Sequence, residues 1–168
     1  MSDADKDRHA IMATMVHASR RWRKLAQVAL ADHDISQARA SALVWVHRLG
    51  GGVRQITLAS YIGIEGTSLV RLLDELGAAG LLVRKDDPHD RRAKTIWLTP
   101  AGVRLAEEAE KVLAELRDRV LDGVSEADLD ATIRVCQVLH RAADKACAEA
   151  APLAVEQEGG FIGDLPID

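Results

Sequence analysis

Two adjacent arginines, Arg91 and Arg92, stand in a polar stretch between two short apolar runs. Asp90 precedes the pair and Lys94 follows it. An arginine on a protruding loop can enter the narrow, electronegative minor groove of A·T-rich DNA, and a neighbouring carboxylate can orient its guanidinium. The same residues also suit the solvated tip of any soluble hairpin. The stretch therefore indicates DNA contact only if the elements around it form a DNA-binding fold.

A second set of residues with suitable chemistry for DNA comes earlier, at Thr67, Ser68 and Arg71. Hydroxyl groups bond to phosphates or base edges, and an arginine can donate to both O6 and N7 of guanine. The three residues fall at the N-terminal end of a predicted helix that runs to Ala78. Alternatively, a hydroxyl merely caps this helix and the arginine is solvated. Its leucines form the predicted core-facing side: Leu69, Leu72, Leu73 and Leu76.

The elements that would position both sets are a pair of short helices and a β-hairpin. Two helices that cross closely need a small residue and a turn residue able to adopt positive φ, here Ala59 and Gly63. With Leu69 as an apolar plug, this spacing predicts a helix-turn-helix over 57–79. The apolar runs around the charged stretch predict a two-stranded wing over 82–98. A helix-turn-helix followed by a wing is a known DNA-reading assembly.

The remaining segments predict further helices, so the expected fold is mostly α with a small β-hairpin wing. An N-terminal helix lies within 1–35, and the winged helix-turn-helix lobe covers 36–102. Two C-terminal helices lie within 103–150, and an irregular tail covers 151–168. Capping residues indicate where helices begin, and the glycines at 50–52 predict a flexible end to the second helix. The predicted caps are Ser36, Thr57, Thr99 before Pro100, and Ser125 with Asp128.

The net charge of −4, from 22 Lys and Arg against 26 Asp and Glu, hides an uneven distribution. Residues 1–104 carry +5 and residues 105–168 carry −9. A basic part beside an acidic remainder is a weak indication of nucleic-acid binding. The predicted helix-turn-helix and wing region, 54–104, carries only +2. Specific DNA binding must then depend on a few well-placed arginines rather than on bulk charge.

Composition and spacing argue against several other classes of protein. No apolar run approaches the roughly 18 residues of a membrane span. Two cysteines cannot form a disulfide scaffold, so we expect a cytoplasmic protein without membrane contact. The six histidines lack a metal-ligand spacing. No catalytic triad spacing, pair of catalytic carboxylates or nucleotide-binding loop stands out, so we expect no enzyme, no metal and no cofactor.

The sequence at 58–76, LASYIGIEGTSLVRLLDEL, resembles the MarR family of bacterial transcription regulators, most closely its SlyA-like branch. The resemblance continues through GLLVR at 80–84, DRRAK at 90–94 and LTPAG at 98–102. It implies a winged helix-turn-helix homodimer with N- and C-terminal dimerisation helices, bound to double-stranded DNA at a pseudo-palindromic operator. It places Arg91 on the wing arginine that enters the minor groove. The residues predicted to contact DNA are Thr67, Ser68, Arg71, Asp90, Arg91, Arg92 and Lys94.

The resemblance also implies a small phenolic or aromatic carboxylate effector that relieves repression. An arginine can bind the carboxylate while aliphatic side chains and a tryptophan enclose the ring. Alternatively, the basic stretch around Trp22 is a helix face near phosphate, and Trp22 belongs to the core. The residues predicted to form the pocket are Arg20, Trp22, Arg23, Val44, Leu72 and Arg84.

Two alternative functions remain open at this stage. The first is a winged-helix protein-interaction module without DNA binding, although such a module has no reason to keep Arg71, Arg91 and Lys94 together. The second is a thiol-responsive regulator that uses Cys136 and Cys147. These cysteines are eleven residues apart on one predicted helix, about 16 Å along its axis, and cannot bridge each other. Small buried side chains at a dimer interface are the simpler interpretation of both.

Overall fold

The structure, a computed structural model, describes the backbone of residues 3–64, 66–88, 90 and 93–150 and the side chains of residues 5–64, 66–88, 90 and 93–146. The fold is mostly helical with a small antiparallel sheet, as predicted. The elements in chain order are α1 (Asp3–Ala29), a short 3-10 turn (Ala31–His33), α2 (Gln37–Arg48), β1 (Val53–Arg54), α3 (Gln55–Ile62), α4 (Gly66–Ala78), β2 (Leu82–Asp86), β3 (Lys94–Leu98), α5 (Pro100–Val120) and α6 (Glu126–Ala150).

The chain separates into two compact units, Met1–Arg119 and Val120–Asp168. The first unit contains all three strands and the helices from α1 to α5, apart from the last residue of α5. The second contains α6, and the predicted tail 151–168 lies outside the described residues. Helix α5 packs its buried residues, among them Ala106, Ala109 and Leu116, within the first unit, and the division at 102–103 stays a prediction.

Capping hydrogen bonds confirm three of the predicted helix starts. Ser36 Oγ accepts from Arg39 N at 3.3 Å, Thr99 Oγ1 accepts from Gly102 N at 3.1 Å, and Ser125 Oγ accepts from Asp128 N at 3.2 Å. Each bond satisfies a backbone N–H that the first turn of a helix leaves without a helical partner. The fourth prediction, Thr57, is wrong because α3 begins two residues earlier.

The first helix of the pair begins directly after β1, with Arg54 in the N-cap position and no side-chain cap. The strand fixes where this helix starts, since Val53 pairs with Ile96 and Arg54 with Thr95. The start of α3 is thus set by strand pairing and not by a local capping residue. This explains why the helix does not begin after Thr57, as its capping side chain predicted.

The sheet has three strands in the order β1-β3-β2, all antiparallel. Strands β2 and β3 confirm the predicted wing hairpin, with Leu82 opposite Leu98 and Asp86 opposite Lys94. The sequence did not predict β1, because two residues are too short to show a strand periodicity. Its pairing with β3 connects the end of α2 to the wing.

The core of the first unit joins the helix-turn-helix to the sheet. Leucines of α3 and α4 are buried together with α2 and with Ile96 of β3. The four leucines predicted to face the core are all buried, at 1, 8, 1 and 0% exposure for Leu69, Leu72, Leu73 and Leu76. This packing fixes which face of α4 remains available.

Within the described residues, no single helix has the length and apolar composition of a membrane span. Helices α3 and α4 meet that criterion only together, across a bend of 105°.

Candidate nucleic-acid interface

Helices α3 and α4 meet at a sharp turn around Gly63. Their axes differ by 105°, within the range of helix-turn-helix motifs. Gly63 has a φ of +62° and its N–H donates to the carbonyl of Ala59 at 2.9 Å, which ends α3 in a left-handed cap. Glycine adopts this backbone conformation without the steric cost that a Cβ would add. The turn therefore has the geometry that the spacing of Ala59 and Gly63 predicts.

Helix α4 presents a polar face opposite its buried leucines. Thr67, Ser68 and Arg71 are all exposed, at the N-terminal end of the helix. The side chain of Arg71 is 84% exposed, and its Nε donates to Glu75 Oε1 at 3.0 Å, one turn further along. An exposed helix start that carries hydroxyls and a guanidinium can donate to both phosphates and base edges in a major groove.

The base of the wing loop, residues 87–93 between β2 and β3, is fixed by a buried carboxylate. Asp87 is 6% exposed, and both Nε and Nη2 of Arg54 lie 2.7 Å from its Oδ2. The N–H of Asp87 donates to the carbonyl of Ala93 at 3.2 Å, and the N–H of Ala93 donates to the carbonyl of Asp90 at 2.9 Å. These bonds close the loop at its two ends.

Two of the predicted wing contacts are described and two are not. Asp90 is half-buried, and its N–H donates to the carbonyl of Asp87 at 3.3 Å. Lys94 is exposed and forms an ion pair with Asp86 on the opposite strand. Arg91 and Arg92 lie outside the described residues, so their roles remain predictions.

Trp97 anchors the wing to the glycine segment after α2. A Cβ on Gly51 would lie 2.7 Å from Cε3 of the Trp97 ring, and one on Gly52 would lie 3.0 Å from Cζ2. The Nζ of Lys85 lies 4.7 Å from the centre of the same ring. The segment was predicted to be a flexible helix end, but Gly51 and Gly52 pack against Trp97, an approach that a Cβ would obstruct, whereas Gly50 does not.

A cavity of about 240 Å³ lies between α1, α2 and α5, inside the first unit. Its polar groups form a network: Glu110 Oε1 accepts from Arg48 at 2.6 Å and from Arg117 at 2.6 Å. Burial alone would raise the pKa of Glu110, but hydrogen bonds and the charges of both arginines outweigh it and hold that pKa below its usual value. The lining residues are Trp22, Ala26, Gln37, Ser41, Val44, Trp45, Arg48, Glu110, Leu113 and Arg117.

The structure brings two of the six predicted pocket residues, Trp22 and Val44, to this cavity. Leu72 is buried in the core beside α2, and Arg20 is exposed on α1. The guanidinium of Arg23 lies against the turn at Gly63. Arg84 donates to Asp74 Oδ1 at 2.7 Å, on the surface of α4.

Sequence reasoning missed three charged residues of the cavity, Arg48, Glu110 and Arg117. The last two are seven residues apart on α5, a spacing that places them on the same helix face as its buried residues. The signal in the sequence was a pair of opposite charges on the core-facing side of α5. Buried charges require partners, so this pair indicated a polar site there.

The described residues hold no group of three or more His, Cys, Asp or Glu side chains able to bind a metal ion. Cys136 is a free, half-buried thiol on α6, and the side chain of Cys147 lies outside the described part of the chain. The geometry therefore assigns no thiol pair.

A helix-turn-helix with an exposed polar reading face, joined to a wing, defines a winged helix-turn-helix DNA-binding protein. The MarR family model matches residues 33–93. The chain is 32% identical to a structurally determined transcriptional regulator, PA3341, with a TM-score of 0.73, covering 80% of this chain and 98% of that one. The chain belongs to the MarR family of transcriptional regulators.

Two more distant structures share the fold. Bordetella bronchiseptica BpsR, described with regulation of its DNA binding by 6-hydroxynicotinic acid, is 21% identical with a TM-score of 0.66, over 77% of this chain and 98% of that one. The MepR–DNA complex from S. aureus is 22% identical with a TM-score of 0.64, over 75% of this chain and 91% of that one.

Proposed function

We propose that this protein is a homodimeric repressor, of the SlyA-like branch by its motif at 58–76, that binds a pseudo-palindromic operator in the cytoplasm. The observation that carries this proposal is the division of α4 into a buried leucine side and an exposed side with Thr67, Ser68 and Arg71. In this arrangement α4 enters the major groove and the wing reaches the adjacent minor groove. No catalytic role is proposed.

Exposed apolar side chains support the homodimer, and α1 and α6 each supply separate evidence for it. Ile11, Met12 and Val16 are 39, 43 and 54% exposed on α1. Contiguous apolar side chains on a surface are typical of a protein interface. A second copy of the chain would cover both helices and space two recognition helices for two operator half-sites. The exposed apolar residues of α6 are Ile133, Val135, Val138 and Leu139.

The cavity between α1, α2 and α5 is our proposed effector site. Two arginines around one carboxylate leave a local excess of positive charge, beside the rings of Trp22 and Trp45. A small aromatic carboxylate matches both features, since its ring packs on indole and its anion pairs with Arg48 or Arg117. The acid that regulates BpsR has the same chemistry.

Repression would be relieved by linked equilibria. A ligand that binds the cavity only when the two recognition helices are wrongly spaced for the operator weakens DNA binding by that difference in affinity. By reciprocity, operator DNA must weaken ligand binding by the same factor. This reciprocity separates regulation from incidental binding of an aromatic acid.

A gel-shift assay with DNA upstream of the protein's own gene tests the central proposal. We expect a shift that is lost on unrelated DNA and that weakens steeply with salt, as several phosphate contacts require.

Adding 6-hydroxynicotinic acid or salicylate should release the DNA, and Trp22→Ala should abolish release while keeping the shift. Binding with no preference over random DNA would contradict the operator proposal, and no binding to either DNA would favour the protein-interaction module. Release by an oxidant that dithiothreitol reverses would favour the thiol-responsive regulator.

A further inference from the structure

The ion pair between Arg54 and Asp87 joins the start of the helix-turn-helix to the base of the wing loop. We propose that Arg54 is a positioning residue for DNA recognition, which holds the buried carboxylate of Asp87 and thereby fixes where the wing meets DNA. This inference rests on the proposed binding of operator DNA. It concerns Arg54, a residue outside the set predicted to contact DNA.

The first observation is the burial of Asp87. A carboxylate at 6% exposure has lost most of its hydration, so its charged form needs partners within the protein. Arg54 supplies two N–H groups at 2.7 Å from Oδ2. The Nε–H donates a charge-assisted hydrogen bond and Nη2 adds an ion-pair contact to the same oxygen, so the guanidinium holds the carboxylate in place. Removing the guanidinium would leave the carboxylate free to move toward solvent and the loop base to move with it.

The second observation is the position of Asp87 in the loop. Its N–H bonds to the carbonyl of Ala93 and its carbonyl accepts from the N–H of Asp90, at 3.2 and 3.3 Å. Asp87 thus holds both ends of the segment that contains the predicted DNA-contacting arginines. A displacement of this residue is transmitted to the ends of that segment through backbone bonds.

The third observation is the place of Arg54 itself. It is the last residue of β1 and the N-cap residue of α3, so its backbone belongs to both the sheet and the helix-turn-helix. The glycines just before β1 contact the ring of Trp97 on β3. The segment 51–54 therefore holds the wing at two separate points, one on β3 and one at the loop base. Two points of attachment resist rotation of the wing, whereas one would not.

A direct contact between Arg54 and a phosphate is the competing explanation, since 43% of its side chain is exposed. The two explanations predict opposite effects for Asp87→Asn. If charge alone matters, loss of a negative group near DNA strengthens binding. If positioning matters, the neutral amide binds Arg54 less strongly and operator binding weakens.

The experiment measures operator affinity by fluorescence anisotropy for the full-length protein and the variants Arg54→Gln, Asp87→Asn and Arg54→Asp/Asp87→Arg. Lys111→Gln, an exposed residue on α5, controls for the loss of one positive charge. Each protein is assayed on the operator and on a version with G·C pairs where the wing faces the minor groove. Hydrogen exchange of the wing amides, without DNA, gives a second measurement.

We expect Arg54→Gln and Asp87→Asn each to weaken operator binding about tenfold and to reduce the preference for A·T pairs. The charge-reversed pair should regain most of the affinity, and Lys111→Gln should retain it. Amide exchange at Asp87 and Ala93 should accelerate in both single variants. Unchanged or tighter binding by Asp87→Asn, or unchanged amide exchange, would overturn the proposal. A further outcome is that the unaltered protein shows no operator preference while amide exchange still accelerates in the two single variants. In that case the DNA-binding proposal fails and the positioning of the loop by Arg54 stands.

Discussion

The guanidinium of Arg48 on α2 donates two hydrogen bonds to the carboxylate of Glu110 on α5, at 3.1 and 2.6 Å. This pair connects α2, which precedes β1, to α5, which follows the wing. Arg117 donates to the same carboxylate, so Glu110 is held between two cations at one end of the proposed effector cavity. The network therefore contributes both to the stability of the first unit and to the charge of the cavity.

Glu110→Gln should lower the free energy of unfolding by about 1–2 kcal/mol at pH 7, because hydrogen bonds to a charged acceptor become bonds to a neutral one. The pKa of Glu110 is lower in the folded protein than its ordinary value of 4.5. Its ionic contribution is thus fully present above pH 4.5 and is lost as the pH falls through the folded pKa. Urea unfolding of both proteins at several pH values measures this.

The control for this prediction is Glu108→Gln, also on α5. Glu108 pairs with His33, and its side chain is more exposed than that of Glu110. We expect a smaller effect there, since exposed ion pairs contribute little. A stability difference between Glu110→Gln and the unaltered protein that persists unchanged well below pH 4 would contradict the ionic explanation.

Gly102→Ala should destabilise the first unit by about 1–3 kcal/mol, the usual cost of overpacking. A Cβ at this position would lie 1.9 Å from the carbonyl oxygen of Leu81, which also accepts from Thr99 N at 3.1 Å. The start of α5 would have to move away from the strand that begins the wing. Thermal unfolding measures the loss.

Gly77→Ala provides the matched control, because its Cβ would meet only Leu82, at 3.9 Å or more. It lies inside α4, where alanine is favoured over glycine by about 1 kcal/mol. We expect this variant to be as stable as the unaltered protein or more so. Equal destabilisation of both variants would show that the crowding at Leu81 is not the cause.

Local signals made much of the fold predictable from the sequence. Ser36, Thr99 and Ser125 cap helices within four residues of themselves, and Gly63 ends α3 through its own backbone conformation. Such bonds depend only on neighbouring residues, so spacing is enough to predict them. The leucine side of α4 follows in the same way from helical periodicity.

The parts that sequence reasoning missed depend on contacts between distant segments. Strand β1 exists because it pairs with β3, more than forty residues later, and Arg54 meets Asp87, which is 33 residues away. The cavity needs α1, α2 and α5 together, which explains why only two of the six predicted pocket residues, Trp22 and Val44, line it. A one-dimensional pattern does not encode which of many charges will meet.

Val16→Asp should shift the proposed homodimer toward monomer, raising the dissociation constant at least tenfold, about 1.4 kcal/mol. The side chain is 54% exposed on α1, and a charge there would be desolvated on association. Sedimentation velocity over a concentration series measures this. Ile56→Asp, at a 63% exposed apolar residue of α3, is the control. A monomeric unaltered protein, or dissociation by both variants alike, would contradict the assignment of α1 to the interface.

Arg71→Ala should weaken operator binding by about 1–3 kcal/mol, the range for an arginine that binds a guanine. Its ion pair with Glu75 is exposed, so thermal stability should change by no more than about 0.5 kcal/mol. Arg71→Lys separates two roles, since lysine restores a phosphate contact but not paired bonds to guanine.

Arg91→Ala and Arg92→Ala should instead reduce the preference for A·T pairs at the operator positions that the wing contacts. Fluorescence anisotropy on single-base operator variants measures all four, and unaltered base preference in Arg71→Ala would show that α4 does not read the operator through this residue.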